Sequence, residues 1–143
     1  MTELLATARV LGVETPAHPF VSEVEYLAVV ARGFPLKALD RIAAEVAPGD
    51  VRFKYRIVPK ASLARRKSTR RLSGPQSVVV TRIASVWAQA VRIWKSDEAA
   101  RAFLGRPHPM LSDRKPIDLV LENEIGADLV RGVLGRLESG SAV

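Results

Sequence analysis

Residues Pro75–Lys95 read PQSVVVTRIASVWAQAVRIWK, the most apolar stretch of the chain, and whether it is strand or helix decides the fold. Val78-Val79-Val80 alone favours a strand, because β-branched side chains suit a pleated sheet. Length decides the other way. Val79, Ile83, Val86, Trp87, Ala90, Val91 and Trp94 keep a helical period for about four turns. The stretch is expected to form a central core helix.

Toward the N-terminus, Ser73-Gly74-Pro75 breaks the chain ahead of this helix. A short segment is expected from Asp50, as its N-cap, to Ile57. Val58-Pro59 interrupts it, and a basic helix is expected to start near Lys60. Two short helices joined by a tight turn read as a helix-turn-helix. Further out, Pro35 suits the first turn of a helix carrying Leu36, Leu39, Ile42, Ala43 and Val46 on one face, stopped by Pro48-Gly49. Ser22 is the expected cap of a helix over Glu23 to Arg32, with Leu27, Val30 and Ala31 on one side and Gly33 after its end. The segment up to about Pro19 is expected to be a short helix followed by a loop.

Toward the C-terminus, Ser96 caps an expected helix with Asp97 and Glu98 in its first turn and Gly105 at its end. Arg106-Pro107-His108-Pro109-Met110 is too proline-dense for regular structure. Pro116 opens a short helix with Ile117, Leu119, Val120 and Leu121. Gly126 precedes a last one, with Ala127, Val130, Val133, Leu134 and Leu137 on one face and Gly140 beyond it. No hairpin signal, internal repeat or low-complexity tract appears. The expected class is therefore all-α, with a helix-turn-helix region over 1–73, the core helix over 74–95 and a small helical domain over 96–143.

Charge is unevenly placed. The chain carries 22 Lys+Arg against 15 Asp+Glu, a net +7. Nine of the cations lie between Asp50 and Arg71, where Asp50 is the lone anion, so this segment holds +8 and the rest sums to −1. Such a patch is the footprint expected for a polyanionic partner. On a helix starting at Lys60, Leu63 would turn inward. Ala61, Ser62, Arg65, Ser68 and Thr69 would then face out, small and hydrogen-bonding groups suited to a major groove. Arg66, Lys67, Arg70 and Arg71 would reach phosphates on either side. The bland alternative is a solvated charge run. From Ser96 to Val143 the balance reverses, six cations against eight anions, which points to a second partner or to an ordinary surface.

Other classes find little support. There is no glycine-rich phosphate loop and no Gly-x-Ser-x-Gly setting. His18 and His108 each sit beside proline with no second ligand at metal spacing. Glu122 and Glu124, two residues apart, face different ways on a helix and read as surface charge. No enzyme, metal or cofactor is expected. With no cysteine, no signal peptide and no apolar run near the roughly 18 residues a membrane helix needs, a cytoplasmic protein without a membrane partner is expected.

A set of short motifs, in order, resembles the Xre/ParS-type (MbcA-like) antitoxins that accompany RES-domain toxins. They run from Gly33-Phe34-Pro35 through Leu63-Ala64-Arg65-Arg66-Lys67, Leu72-Ser73 and Gln76-Ser77. Then come Ala99-Ala100-Arg101-Ala102-Phe103-Leu104, Pro107-His108-Pro109, Pro116-Ile117-Asp118-Leu119, Gly126-Ala127 and Leu134-Gly135-Arg136-Leu137-Glu138-Ser139-Gly140. The family usually has Trp-Leu at Phe103-Leu104, Glu-Ser at Gln76-Ser77 and a glycine-rich loop at Leu111-Ser112-Asp113-Arg114. The resemblance implies a homodimeric antitoxin that represses its own operon through double-stranded operator DNA and neutralises a RES-domain toxin acting on NAD, by obstructing the toxin's pocket with its C-terminal end. Carried onto this chain, the DNA face is Lys60, Ser62, Arg65, Arg66, Lys67, Thr69, Arg70 and Arg71. The toxin face is Arg131, Arg136, Gly140, Ser141, Ala142 and Val143. The competing readings are a stand-alone helix-turn-helix regulator and an RNA-binding accessory protein.

Overall fold

The computed structural model describes residues 3–14, 19–20 and 22–140. The described chain is all-α: its only pairing outside helices is two isolated bridges, Pro35 with Arg71 and His108 with Arg114. It divides into two compact units, Met1–Ser85 and Val86–Val143. No described helix is long and apolar enough to cross a membrane.

The first unit contains α1 (Glu3–Val10), α2 (Glu23–Arg32), α3 (Leu36–Val46), α4 (Phe53–Ile57), α5 (Lys60–Arg65) and the first part of α6 (Gly74–Trp94). Its core is built from Leu11, Phe34, Leu39, Ile42, Val58, Leu72, Val80 and Ile83, all almost fully buried. α3 keeps the face expected of it, with Ala38 added. In α2 the inward face differs from expectation. Tyr26 and Val30 are buried, whereas Leu27 and Ala31 point to solvent. The Tyr26 ring sits between Phe20 and Phe34, and its hydroxyl bonds to Thr81 Oγ1 at 2.9 Å, so the polar tip is satisfied inside.

Asp50 does not cap α4. Its Oδ1 accepts from the Arg52 amide at 3.0 Å in the turn before the helix, and Arg52 occupies the cap position without a side-chain bond. The basic helix is shorter than expected. α5 ends at Arg65, and the chain continues in turns to Arg70, which adopts φ 56°. Leu63 is half-buried and no α5 side chain is fully buried. The reason lies just downstream: the Leu72 amide donates to Phe34 O at 2.8 Å and the Leu36 amide to Arg70 O at 3.2 Å. Laying residues 70–72 against 34–36 requires the chain to leave the helix early.

α6 opens on a reciprocal cap. The Gln76 amide donates to Ser73 Oγ at 3.1 Å, and the Ser73 amide donates to Gln76 Oε1 at 2.8 Å. Ser77, fully buried, accepts from the Phe34 amide at 2.8 Å and donates to Ser73 O. The helix is the one expected, although its buried stripe is centred on Val80, Ile83, Ala84, Trp87 and Ala90, with Val79 and Val91 at its margin.

The second unit contains the end of α6, then α7 (Asp97–Gly105), α8 (Pro116–Glu122) and α9 (Glu124–Glu138). Ser96 caps α7 as expected, accepting from the Ala99 amide at 2.9 Å. The proline-rich loop does hold regular structure, a 3-10 turn at Pro109–Leu111. His108 Nδ1 accepts from the Met110 amide at 3.1 Å, doing the work of a cap. α9 starts two residues before Gly126, because Asn123 Oδ1 caps it through the Gly126 amide at 2.9 Å. Gly126 thus lies inside the helix, where α9 meets α8.

Candidate functional site

Two surfaces carry the residues singled out by sequence. The first is the basic segment of the first unit. Lys60 opens α5 with its Nζ 5.7 Å from the Tyr55 ring centroid. Arg65 and Lys67 are exposed, as is Arg70. Among the described residues none of these three has a carboxylate at ion-pair distance; Arg65 only reaches Ser62 Oγ, at 3.4 Å. The others hold the turn together. Arg66 Nε donates to Arg71 O at 3.0 Å, and Thr69 Oγ1 donates to Arg66 O and Arg71 O. The Arg71 guanidinium donates to Gly33 O at 3.0 Å. Of the eight residues expected on a DNA face, Lys60, Arg65, Lys67 and Arg70 therefore offer charge outward, Ser62 is half-buried, and Arg66, Thr69 and Arg71 shape the loop that presents them. Tyr55, whose ring both Lys54 and Lys60 approach, was not singled out by sequence. An aromatic spaced among cations is the signal that could have found it.

The second surface belongs to the second unit. Arg131 and Arg136 diverge on α9, as their five-residue spacing requires. Arg131 is neutralised by Glu124 at 2.6 Å and Asp128 at 2.8 Å. Arg136 is exposed, and its Nη1 lies 3.6 Å from Met110 Sδ. At the end of α9, Glu138 pairs with Arg92. Gly140 closes the described chain at φ 79°. Ser141, Ala142 and Val143 lie outside the described residues, as does His18.

Sequence reasoning missed a groove beside these residues. A cavity of about 410 Å³ is lined by Trp94, Ala99, Ala102, Phe103, Arg106, Pro107, His108 and Leu137. The Trp94 ring stands 5.9 Å from Phe103, and Phe103 meets His108 edge-on at 6.0 Å. Its walls are mostly apolar, and Arg106 supplies a charge at the rim. Because its Nδ1 accepts a backbone proton, a neutral His108 carries its own proton on Nε2. Trp94, assigned from sequence to the core stripe, is 40% exposed. Glu122 pairs with Arg114 and Glu124 with Arg131, so both are surface carboxylates in ion pairs. No group of three potential metal ligands occurs among the described residues.

Residues 89–140 match the model of the antitoxin Xre/MbcA/ParS C-terminal toxin-binding domain. No curated protein sequence matches the chain. The matched stretch begins in the last turns of α6, takes in every residue lining the groove, and ends at Gly140. The C-terminal part of the chain, over residues 89–140, is thus similar to the toxin-binding domain of Xre/MbcA/ParS antitoxins.

Proposed function

We propose that this chain is an antitoxin that neutralises a RES-domain, NAD-degrading toxin through its second unit, and represses its own operon by binding duplex DNA as a homodimer through the basic segment. It acts in the cytoplasm and needs no catalysis or cofactor of its own. The observation that carries the toxin half is the match of residues 89–140 to a toxin-binding domain. Within that stretch, Arg136 is the α9 cation left exposed, with no carboxylate at ion-pair distance among the described residues. It lies four residues before Gly140, so it accompanies the C-terminal end toward the toxin. Gly140, Ser141, Ala142 and Val143 then enter the toxin's NAD pocket, where small side chains fit.

The DNA half rests on the +8 charge of residues 50–71. α4 and α5, separated by Val58-Pro59, form the helix-turn-helix. Lys60, Arg65, Lys67 and Arg70 contact the duplex, and Arg66, Thr69 and Arg71 hold their loop. α5 has six residues, so base reading is confined to Ser62 and Arg65, and most affinity comes from phosphates. Co-expression with the RES toxin encoded in the adjacent reading frame tests the reading. The toxin should co-purify with the antitoxin, and the complex should shift DNA from its own promoter. DNA binding without toxin capture would leave a stand-alone regulator.

A further inference from the structure

α2 is apolar on both sides, and the first unit uses only one of them. Tyr26 and Val30 face the core. Val24, Leu27, Ala28 and Ala31, spaced i, i+3, i+4 and i+7, form a second stripe that faces solvent, with Val24 73% and Leu27 67% exposed. α6 widens the stripe. Gly74, Val78 and Thr81 share one face of α6. A Cβ on Gly74 would stand 3.0 Å from Ala31 O, and Thr81 bonds to the Tyr26 hydroxyl. Val78, between them, is therefore set alongside α2, and it is 52% exposed. Apolar side chains at this spacing left in water mark a helix-docking surface.

We propose that the occupant is α2 of a second copy of this chain, packed antiparallel about a two-fold axis that passes between Leu27 and Ala28; the proposal rests on the homodimer reading above and names its seam. The stripe is complementary to itself in that register. Val24 of one copy meets Ala31 of the other, and Leu27 meets Ala28, so each larger side chain faces a small one. The charges agree. Glu25 and Arg32 are seven residues apart and about 20° apart around the helix, so they share one flank. The two-fold places Glu25 of each copy beside Arg32 of the other. Opposed helix dipoles favour the antiparallel arrangement as well.

The chain has no cysteine, which allows a direct test on the full-length protein. Ala28→Cys places one thiol per copy next to the two-fold axis, and oxidised glutathione should convert it to a disulfide-linked dimer. Val51→Cys, 81% exposed and off the stripe, is the control and should remain unlinked. Leu27→Asp should raise the dimer dissociation constant about 100-fold with its helical circular dichroism intact, since the side chain is exposed. Arg32→Glu should weaken the dimer roughly tenfold, and Glu25→Arg added to it should restore most of the loss. A dimer that ignores Leu27→Asp and cross-links no faster at position 28 than at 51 overturns this seam and leaves the homodimer reading standing. A wild-type chain that is monomeric at micromolar concentration, with and without DNA, overturns both.

Discussion

A Cβ built on Gly126 would stand 2.0 Å from the carbonyl oxygen of Leu119, because α9 crosses α8 at that point with backbone against backbone. The contact sets how the last helix is held in the second unit. Gly126→Ala forces the two helices apart, and we expect it to cost about 3 kcal/mol or more of that unit's stability. Gly132, on the same helix, has open space where its Cβ would be. Gly132→Ala should stabilise by up to about 1 kcal/mol through helix propensity alone. Denaturant melts of the two variants, side by side, check the opposite signs.

The basic segment makes a sharper prediction now that its residues are separated by role. Arg70→Ala and Lys67→Ala remove outward charge, and each should lower the slope of log K against log salt by roughly one unit for any duplex. Arg71→Ala breaks the bond to Gly33 O. It should lower the unfolding midpoint as well, a loss that Lys67→Ala does not share. Salt titrations on operator and random DNA, with thermal melts of the same variants, separate the two groups.

Glu14 gives the fold an acid-sensitive contact. Its Oε2 accepts the Phe20 amide at 2.9 Å, which does most to hold the carboxyl below the usual range, and Arg9 assists through Oε1 at 2.8 Å. Because the folded-state pKa is the lower one, the stabilisation is fully present above the unfolded value near ~4.3 and is lost as pH falls through the folded value. Glu14→Gln should therefore flatten the acid limb of a stability-versus-pH curve below about pH 5. An unchanged acid limb would show that the Phe20 contact contributes nothing measurable.

Much of the helical order was legible because its signals are local. Ser22 and Ser96 cap the helices expected of them, Pro116 opens α8, and the period from Val79 to Trp94 gave the longest helix. Where expectation failed, a contact distant in sequence prevailed. Leu27 and Ala31 looked like a core stripe, yet the Thr81 hydroxyl and two aromatic rings select Tyr26 for the interior. The basic helix stops at Arg65 because Leu72 must bond to Phe34, 38 positions earlier. Ser73 and Gln76 did carry a legible capping signal, Ser-x-x-Gln, that the reading of a chain break passed over. The groove beside Trp94 needs α6, α7 and α9 at once, and no spacing within one segment shows it. The basic patch was visible as charge alone; that Arg71 belongs to the loop's framework was not.

The central claim is that this chain protects NAD from a RES-domain toxin, and cellular NAD is the quantity that tests it most directly. Toxin is induced in cells carrying the full-length antitoxin, the same chain lacking Ser141–Val143, or no antitoxin, with toxin levels matched by immunoblot. The account predicts that the full-length chain keeps NAD at the level of toxin-free cells. The truncated chain should still co-purify with toxin through the second unit, while NAD falls as it does without antitoxin. NAD protected equally by both chains would contradict entry of the C-terminal residues into the pocket. NAD lost to the same extent with and without the full-length chain would contradict the neutralisation of this toxin altogether.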